Sequence, residues 1–441
     1  TNTRAANGIF LEGNSHLNIT GPVEIAKVDT KGSSAAGIAF QGSGSEAVID
    51  GSLTISNVDG DKAEKQGRYI GVSGIRMTGD NTSMTVTGPV NISGFKGSAL
   101  HTAGADSVIS VGGGTISTAA DADKSHNFYA ARVEKGTVNI NMKNGAPGSA
   151  RTNIIGDMYV TGQYGKKVIE YSGGQLADWQ HRGNLHVALT DKDSSWTGVA
   201  AYEQYNDNYG SGGNTMHDIG NFDLYLQNGA TWTNEQQSHV TTTTLAGKNP
   251  VYNGSYLMKL HGGSDAVHKG YIYQKDSKPI TVDNYSGHTL VFYDHTGDGS
   301  AAENYSAGDF RIKTAEEGSS ITLRTGAGGI NTADKTAAGK ALNSLANKLY
   351  YMSYAQGDTK LKGTVEIAEG LTSSSVSASG DIAFRTDTAA DKNGQGTYVY
   401  EPEEPLDGPI IKDRLLKGET TVTADDTHAE DGYVSAAYNG D

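Results

Sequence analysis

Seven short strings in this chain begin on glycine and then alternate apolar and polar residues. They are GPVEI at 21–25, GSLTI at 51–55, GPVNI at 88–92, GTVNI at 136–140, GNLHV at 183–187, GNFDL at 220–224 and GTVEI at 363–367. Two longer windows, ITGPVEI at 19–25 and VTGPVNI at 86–92, share five of seven residues. Strict alternation marks a strand with one buried face. It points Val23 and Ile25 inward and Glu24 outward. By the same rule Val138, Ile140 and Met142 face in, while Asn139 and Asn141 face out.

Each string has companions in a fixed order. A first apolar stretch begins at Gly8, Gly37 and Gly74. A second contains Leu17 and Ile19, then Val48, then Met84 and Val86. The glycine-led string is the third. The steps between copies are 29 and 37 residues, so the order is constant while insertions such as Asp59 to Arg68 vary the length. Repeats of 20–50 residues signal a stacked array. Helical repeats need helix-period segments, and propeller blades need tight antiparallel hairpins. The pattern predicts instead an all-β chain: a right-handed parallel β-helix with three short strands per coil. Pro22 and Pro89 share one repeat position after the corner glycine, where a missing N–H costs no ladder bond.

Composition fits one long, thin core. Gly accounts for 59 of 441 residues, which suits many corners. Tyr at 23 and Phe at 8 are too many for a solvated polymer. Cys is zero, which excludes disulfides, thiolate metal sites and a thiol nucleophile. A net charge of −15 disfavours nucleic acid and anionic membrane surfaces as partners. No apolar run is long enough to insert into a bilayer as a helix. The chain opens at Thr1 without an apolar leader, so the expectation is a processed or excised segment.

Three regions are expected. Residues 1–150 carry the regular coils. Residues 151–400 continue with longer loops, including the units VALTDKDSSWTG at 187–198 and LYLQNGATWTN at 224–234. These place Trp196 and Trp232 at matching positions, for core-edge packing or, alternatively, sugar stacking. One helical insertion is predicted over 334–354, with Ala338, Leu342, Leu345, Ala346 and Leu349 on one face and Gly357 ending the region. Residues 401–441 read as a linker, marked by Pro402, Pro405 and Pro409, and a loosely ordered terminal segment.

The glycine-capped strand triplets resemble the passenger domains of Gram-negative monomeric (type V) autotransporters. So do LYLQNGATWTN, YSGHTLVFYDH at 285–295, VEIAEGLTSSS at 365–375 and QGTYVY at 395–400. The resemblance covers most of residues 1–400. It implies a β-helix carried to the cell surface by a C-terminal outer-membrane barrel, which this chain does not show. It supplies no binding motif that maps onto numbered positions here.

Chemical signatures are sparse. GSGS at 42–45 lacks the aspartate of a Gly-Asp-Ser-Gly nucleophile loop, and there is no G-x-S-x-G elbow. NVDGD at 57–61 spaces Asn57, Asp59 and Asp61 like the start of a calcium loop, but Lys62 stands where glycine is needed. DHTGDG at 294–299 reads as a polar turn. The histidines, His181 and His186 among them, do not fall at ligand spacing. No metal and no cofactor is expected. The strongest candidate for recognition is the loop AYEQYNDNYGSGGN at 201–214. There Tyr202, Tyr205 and Tyr209, with Asp207, would offer rigid aromatic bodies and hydroxyls on a loop held by a scaffold. A polar connector is the plainer reading of the same loop.

These readings favour a cell-surface adhesin without enzymatic activity. Its partners would be a protein or glycan on host or bacterial cells, or a second copy of itself. The alternatives are a polysaccharide-degrading enzyme, since the same fold hosts both, and a passive spacer.

Overall fold

The computed structural model describes residues 5–30, 34–60, 71–118, 128–160, 183–202, 220–238, 254–295, 305–325, 330, 333–368, 376–384 and 396–397. These residues are almost all β, arranged in parallel sheets with one α-helix. The chain divides into two compact units, residues 1–261 and 262–441.

In the first unit, all strands but one short antiparallel pair fall into three sheets, where each pairs in parallel with a strand one repeat away. The first sheet comprises Ala6–Glu12, Ala35–Gln41, Val72–Met77, Ser98–Thr102, Tyr129–Val133, Asp157–Val160 and Ala200–Tyr202. The second comprises His16–Thr20, Glu46–Asp50, Ser83–Val86, Val108–Val111, Gly136–Ile140, Gly183–Leu189, Asn221–Leu226 and Ser255–His261. The third comprises Val23–Thr30, Leu53–Gly60, Val90–Phe95, Gly114–Thr118, Thr152–Ile155, Ser195–Thr197 and Thr231–Asn234.

Register turns the alternation into columns. In the third sheet Ile25, Ile55, Ile92, Ile116, Ile154, Trp196 and Trp232 are successive Cα partners. All seven are buried. In the second sheet Ile19, Ile49, Val86, Val111, Ile140, Val187, Leu224 and Leu260 form a matching column. Val48 is paired with Asn18 and Thr85 on the opposite face, so Ala47 and Ile49 carry the inward role in that strand.

The recurrent corner glycine has a steric cause. A Cβ on Gly51 would lie 2.2 Å from the carbonyl oxygen of Gly21, and one on Gly88 would lie 2.6 Å from that of Gly51. Only a residue without a side chain lets the carbonyls of one corner rest on the next. Asn57 serves another bend. It is left-handed (φ 55°), as are Lys27 (φ 58°) and Gly94 (φ 67°) in the same sheet, and beyond them Val28, Val58 and Phe95 are buried.

Alternation fails at Asn141. This residue is buried and left-handed (φ 55°), while Met142 is only half-buried. Its Nδ2 donates to the carbonyls of Gly148, Ala150 and Ala188 at 3.1, 2.8 and 3.0 Å. The asparagine side chain thus satisfies corner carbonyls, and Met142–Lys143 turns out into a hairpin with Ala146–Pro147.

In the second unit the strands alternate between two parallel sheets. Gly270–Gln274, His288–Tyr293, Ser319–Thr325 and Leu361–Ala368 form one, and Ile280–Ser286, Phe310–Ala315 and Leu349–Tyr351 the other. Among the described residues no strand of this unit joins a third parallel sheet, and residues 275–279 are too short to hold one between Gln274 and Ile280. Val376–Asp381 adds antiparallel to Leu361–Ala368.

The helix is shorter than predicted. It runs Lys335–Ala346, capped by Asp334, whose carboxylate accepts from the backbone N–H groups of Thr336 and Ala337 at 2.9 and 3.1 Å. Ala338, Ala341, Leu342, Leu345 and Ala346 are its buried stripe. Leu349–Tyr351 is a strand instead, in register with Phe310–Ile312, because pairing there puts Leu349 and Tyr351 into the core. A 3₁₀ turn, Met352–Gln356, follows and ends at left-handed Gly357 (φ 85°).

Candidate functional site

Of the expected recognition loop, only Tyr202 is placed, at the end of its strand with its backbone in register with Val160. Tyr205, Asp207 and Tyr209 lie outside the described residues, as do His181, Asp61, Lys62, residues 296–299 and residues 401–441. Among the described residues no group of His, Asp or Glu is arranged to hold a metal ion, and no helix is long and apolar enough to cross a membrane. Asp59 is bound by Lys96 at 2.6 Å. In GSGS, Gly42 and Gly44 are left-handed and buried Ser45 accepts from the Ser15 N–H at 3.2 Å, so the string forms a corner.

The tryptophans are core residues. Trp196 and Trp232 are fully buried and stacked, with ring centroids 4.8 Å apart and planes within 3°. Their Nε1–H groups donate to the carbonyls of Gly156 (3.0 Å) and Gly198 (2.9 Å). Neither ring face is open to a sugar.

The outward side of the second sheet gathers a different set. Ser110, Asn139, His186, Asp223 and Lys259 occupy one register column. The Asn139 Nδ2 donates to Ser110 Oγ at 3.1 Å. Asp223 Oδ2 lies 3.4 Å from His186 Nδ1 and 3.8 Å from Lys259 Nζ. Asp223 is only 8% exposed, and its Oδ1 has no hydrogen-bond partner among the described residues. Two positions along each strand, Ala188, Tyr225 and His261 form the neighbouring column. The Tyr225 and His261 rings are stacked at 4.3 Å and 10°. Burial, with the Asp223 charge adding, pushes the Tyr225 hydroxyl pKa up, so it remains a neutral donor. On the other side Asn221 Nδ2 donates to Asn184 Oδ1 at 2.8 Å. Every one of these residues belongs to the first unit.

A second polar column lies on the first sheet, where Arg76, His101 and Arg132 are register partners. Glu134 sits 2.7 Å from Arg132 and 3.4 Å from His101 Nε2. Burial pushes the Glu134 carboxyl up, but His101 and Arg132 outweigh it and hold the pKa at about 2. Burial lowers the His101 pKa, and the pull of Glu134 does not restore it. Arg76 donates to the Gly71 carbonyl at 2.9 Å. Glu134 is paired with Arg132 and Arg76 with a backbone carbonyl, so the column reads as reinforcement of the sheet.

Sequence reasoning placed His186 on a surface or ladder position, and it stands on one. It missed Asp223, Tyr225, Lys259 and His261. The signal was present: Trp196 and Trp232 are 36 residues apart, and so are Tyr225 and His261. The same offset links Asp223 to Lys259, while His186 stands 37 residues before Asp223, so only register gathers the full set.

Fold and patch together define a class by architecture: stacked parallel sheets whose outer columns mix polar and aromatic side chains. No protein-family model, curated protein or solved structure matches the chain.

Proposed function

We propose that this chain is the passenger of an autotransporter-like cell-surface adhesin. In this reading it winds as a right-handed parallel β-helix, with three strands per coil through the first unit. It is held at a Gram-negative outer membrane by a barrel outside this sequence, and it attaches to a protein or glycan on host or bacterial cells, or to a second copy of itself. The observation that carries the proposal is the outer face of the second sheet. There, consecutive repeats deliver His186, Asp223, Lys259, Tyr225 and His261 to one area. The contacts of Asp223 are to bases, which suits holding a ligand better than the paired carboxylates of glycoside cleavage. Repetition along a face also suits weak contacts multiplied by copy number.

The test couples the purified chain to beads and measures bead clustering and adherence to epithelial and bacterial cells. Clustering or adherence above that of albumin-coated beads is expected. Inert beads, together with release of reducing ends or unsaturated products from polysaccharides, would replace the adhesin with the enzyme.

A further inference from the structure

The outer face of the third sheet differs in chemistry from the other two. Six consecutive repeats turn the same two positions outward there: TIS at 54–56, NIS at 91–93, TIS at 115–117, NII at 153–155, SWT at 195–197 and TWT at 231–233. The middle residue of each belongs to the buried column, so the residues on either side of it form two parallel columns outside. All twelve of these side chains are exposed or half-buried. None is charged and none is aromatic. Eleven are Ser, Thr or Asn, and the twelfth is Ile155, which is 47% exposed. Charges begin only at the borders. Glu24 is the Cα partner of Thr54 at one end, and exposed Arg151, Asp193 and Glu235 stand two residues away from Asn153, Ser195 and Thr233. The outer columns of the other sheets carry Arg76, His101 and Arg132, or His186, Asp223 and Lys259.

Three properties of this strip select its occupant. In a chain of net charge −15, two copies repel each other least where they meet without charge. Hydroxyls and amides each donate and accept, so a face made of them is complementary to itself, as a row of carboxylates or ammonium groups is not. Rungs recur every ~4.8 Å, and a second copy brings the same repeat, so bringing one rung into step brings in all of them. A small molecule looks instead for a cleft lined with apolar and aromatic side chains, and the strip offers no ring. An uncharged centre, an exposed apolar residue within it and charges at the rim are the layout of a protein–protein contact.

Size sets the strength. From strand spacing and rise, the strip measures about 30 by 13 Å. That is about 400 Å² on each copy, or ~800 Å² in all, below the ~1,200–2,000 Å² of stable complexes. Hydroxyls also exchange water for protein partners at small net gain. One pair of copies therefore holds weakly, and many pairs on facing surfaces hold by number.

We infer that the outer face of the third sheet, from Thr54 to Thr233, binds the same face of a second copy, with Ile155 as its apolar anchor. The inference rests on the adhesin reading and commits it to a homotypic partner.

The experiment places the full 441-residue chain on beads and counts bead clusters by flow cytometry. Parent beads should cluster at least tenfold above albumin-coated beads. Thr115→Glu/Ser195→Glu and Thr115→Lys/Ser195→Lys beads should each cluster at least fivefold less than the parent, because like charges then face one another. Mixing the two should restore clustering, since opposite charges then meet. Thr85→Glu, exposed on the second sheet, should leave clustering unchanged. Circular dichroism and urea midpoints matching the parent show that the variants fold. Parent beads no stickier than albumin, parent-like clustering by both folded same-charge variants, or mixed beads no better than either variant alone overturns the inference. Adherence to epithelial or bacterial cells without clustering sinks the homotypic face and leaves the adhesin standing. Clustering that depends on the face, with no adherence to any cell, supports the face and removes the foreign partner from the adhesin reading.

Discussion

Asp157 offers the sharpest test of how the first unit is held together. It is fully buried and takes four hydrogen bonds. Oδ1 accepts from the N–H groups of Val199 and Gln237, both at 3.0 Å. Oδ2 accepts from the N–H and hydroxyl of Ser238, both at 2.8 Å. One carboxylate thus ties segments about eighty residues apart in sequence. Asp157→Ala orphans the N–H groups of Val199 and Ser238, which are 0% and 3% exposed, while half-exposed Gln237 can turn to water. At ~1–3 kcal/mol for each buried orphan, the loss is about 2–6 kcal/mol. Hydrogen exchange of peptides covering 196–200 and 235–238 should accelerate by roughly thirtyfold to twenty-thousandfold. Asp157→Asn keeps one acceptor, and Ser238 Oγ can turn wholly to the Phe128 carbonyl it already reaches at 3.2 Å, so its loss should be smaller.

Acidity adds a second readout at the same residue. Burial raises the Asp157 pKa to about 6, only partly countered by the four donors. A carboxyl whose folded pKa exceeds its unfolded value binds more protons in the native state. Its contribution therefore grows as pH falls through about 6, is complete below the model-compound 3.8, and is lost as pH rises. The span is worth up to about 3 kcal/mol. Protection of both segments, corrected for intrinsic exchange, should rise between pH 7 and pH 5 in the parent and stay flat in Asp157→Asn. Equal exchange in the parent and in Asp157→Ala, or an unchanged pH slope in Asp157→Asn, would refute this account.

Trp232→Ala should cost ~3–5 kcal/mol, because it opens a cavity beside Trp196 and strands the Gly198 carbonyl. Unchanged denaturation and near-ultraviolet dichroism would contradict the stack. Gly51→Ala drives a Cβ to 2.2 Å from the Gly21 oxygen and should destabilise by at least ~1–3 kcal/mol in urea melts, whereas neighbouring Ser52→Ala should be near neutral. Glu134→Gln removes the acid that raises the His101 pKa, so the His101 midpoint followed by NMR should fall below that of the parent, and a rise would exclude the pairing. Because the Glu134 pKa is depressed to about 2, the stability this residue gives is full above the ordinary glutamate value of 4.5 and fades as pH drops toward 2.

Much of the first unit was legible because a parallel ladder writes itself into sequence as columns. Gly8, Gly37 and Gly74 fall between paired neighbours, and the third-sheet strings align residue for residue. The misses have local causes. Asn141 obeys a corner's demand for donors rather than the strand's alternation. Leu349–Tyr351 continues a helical spacing in sequence but gains more from a ladder with Phe310. Among the described residues after 261 no third parallel sheet is present, and the short connection 275–279 that leaves no room for one is a matter of length, which apolar periodicity does not register. The patch around Asp223 escaped because its residues are unremarkable singly and become a set only through register.

The glycine column carries a consequence for how such a chain changes over time. Where corner carbonyls nest against bare backbone at Gly21, Gly51 and Gly88, consecutive layers present nearly interchangeable seams. Duplicating or excising one whole layer would rejoin like surfaces, whereas losing part of one would not. Whole layers are therefore the unit in which such a chain can lengthen or shorten while its glycine seams stay matched.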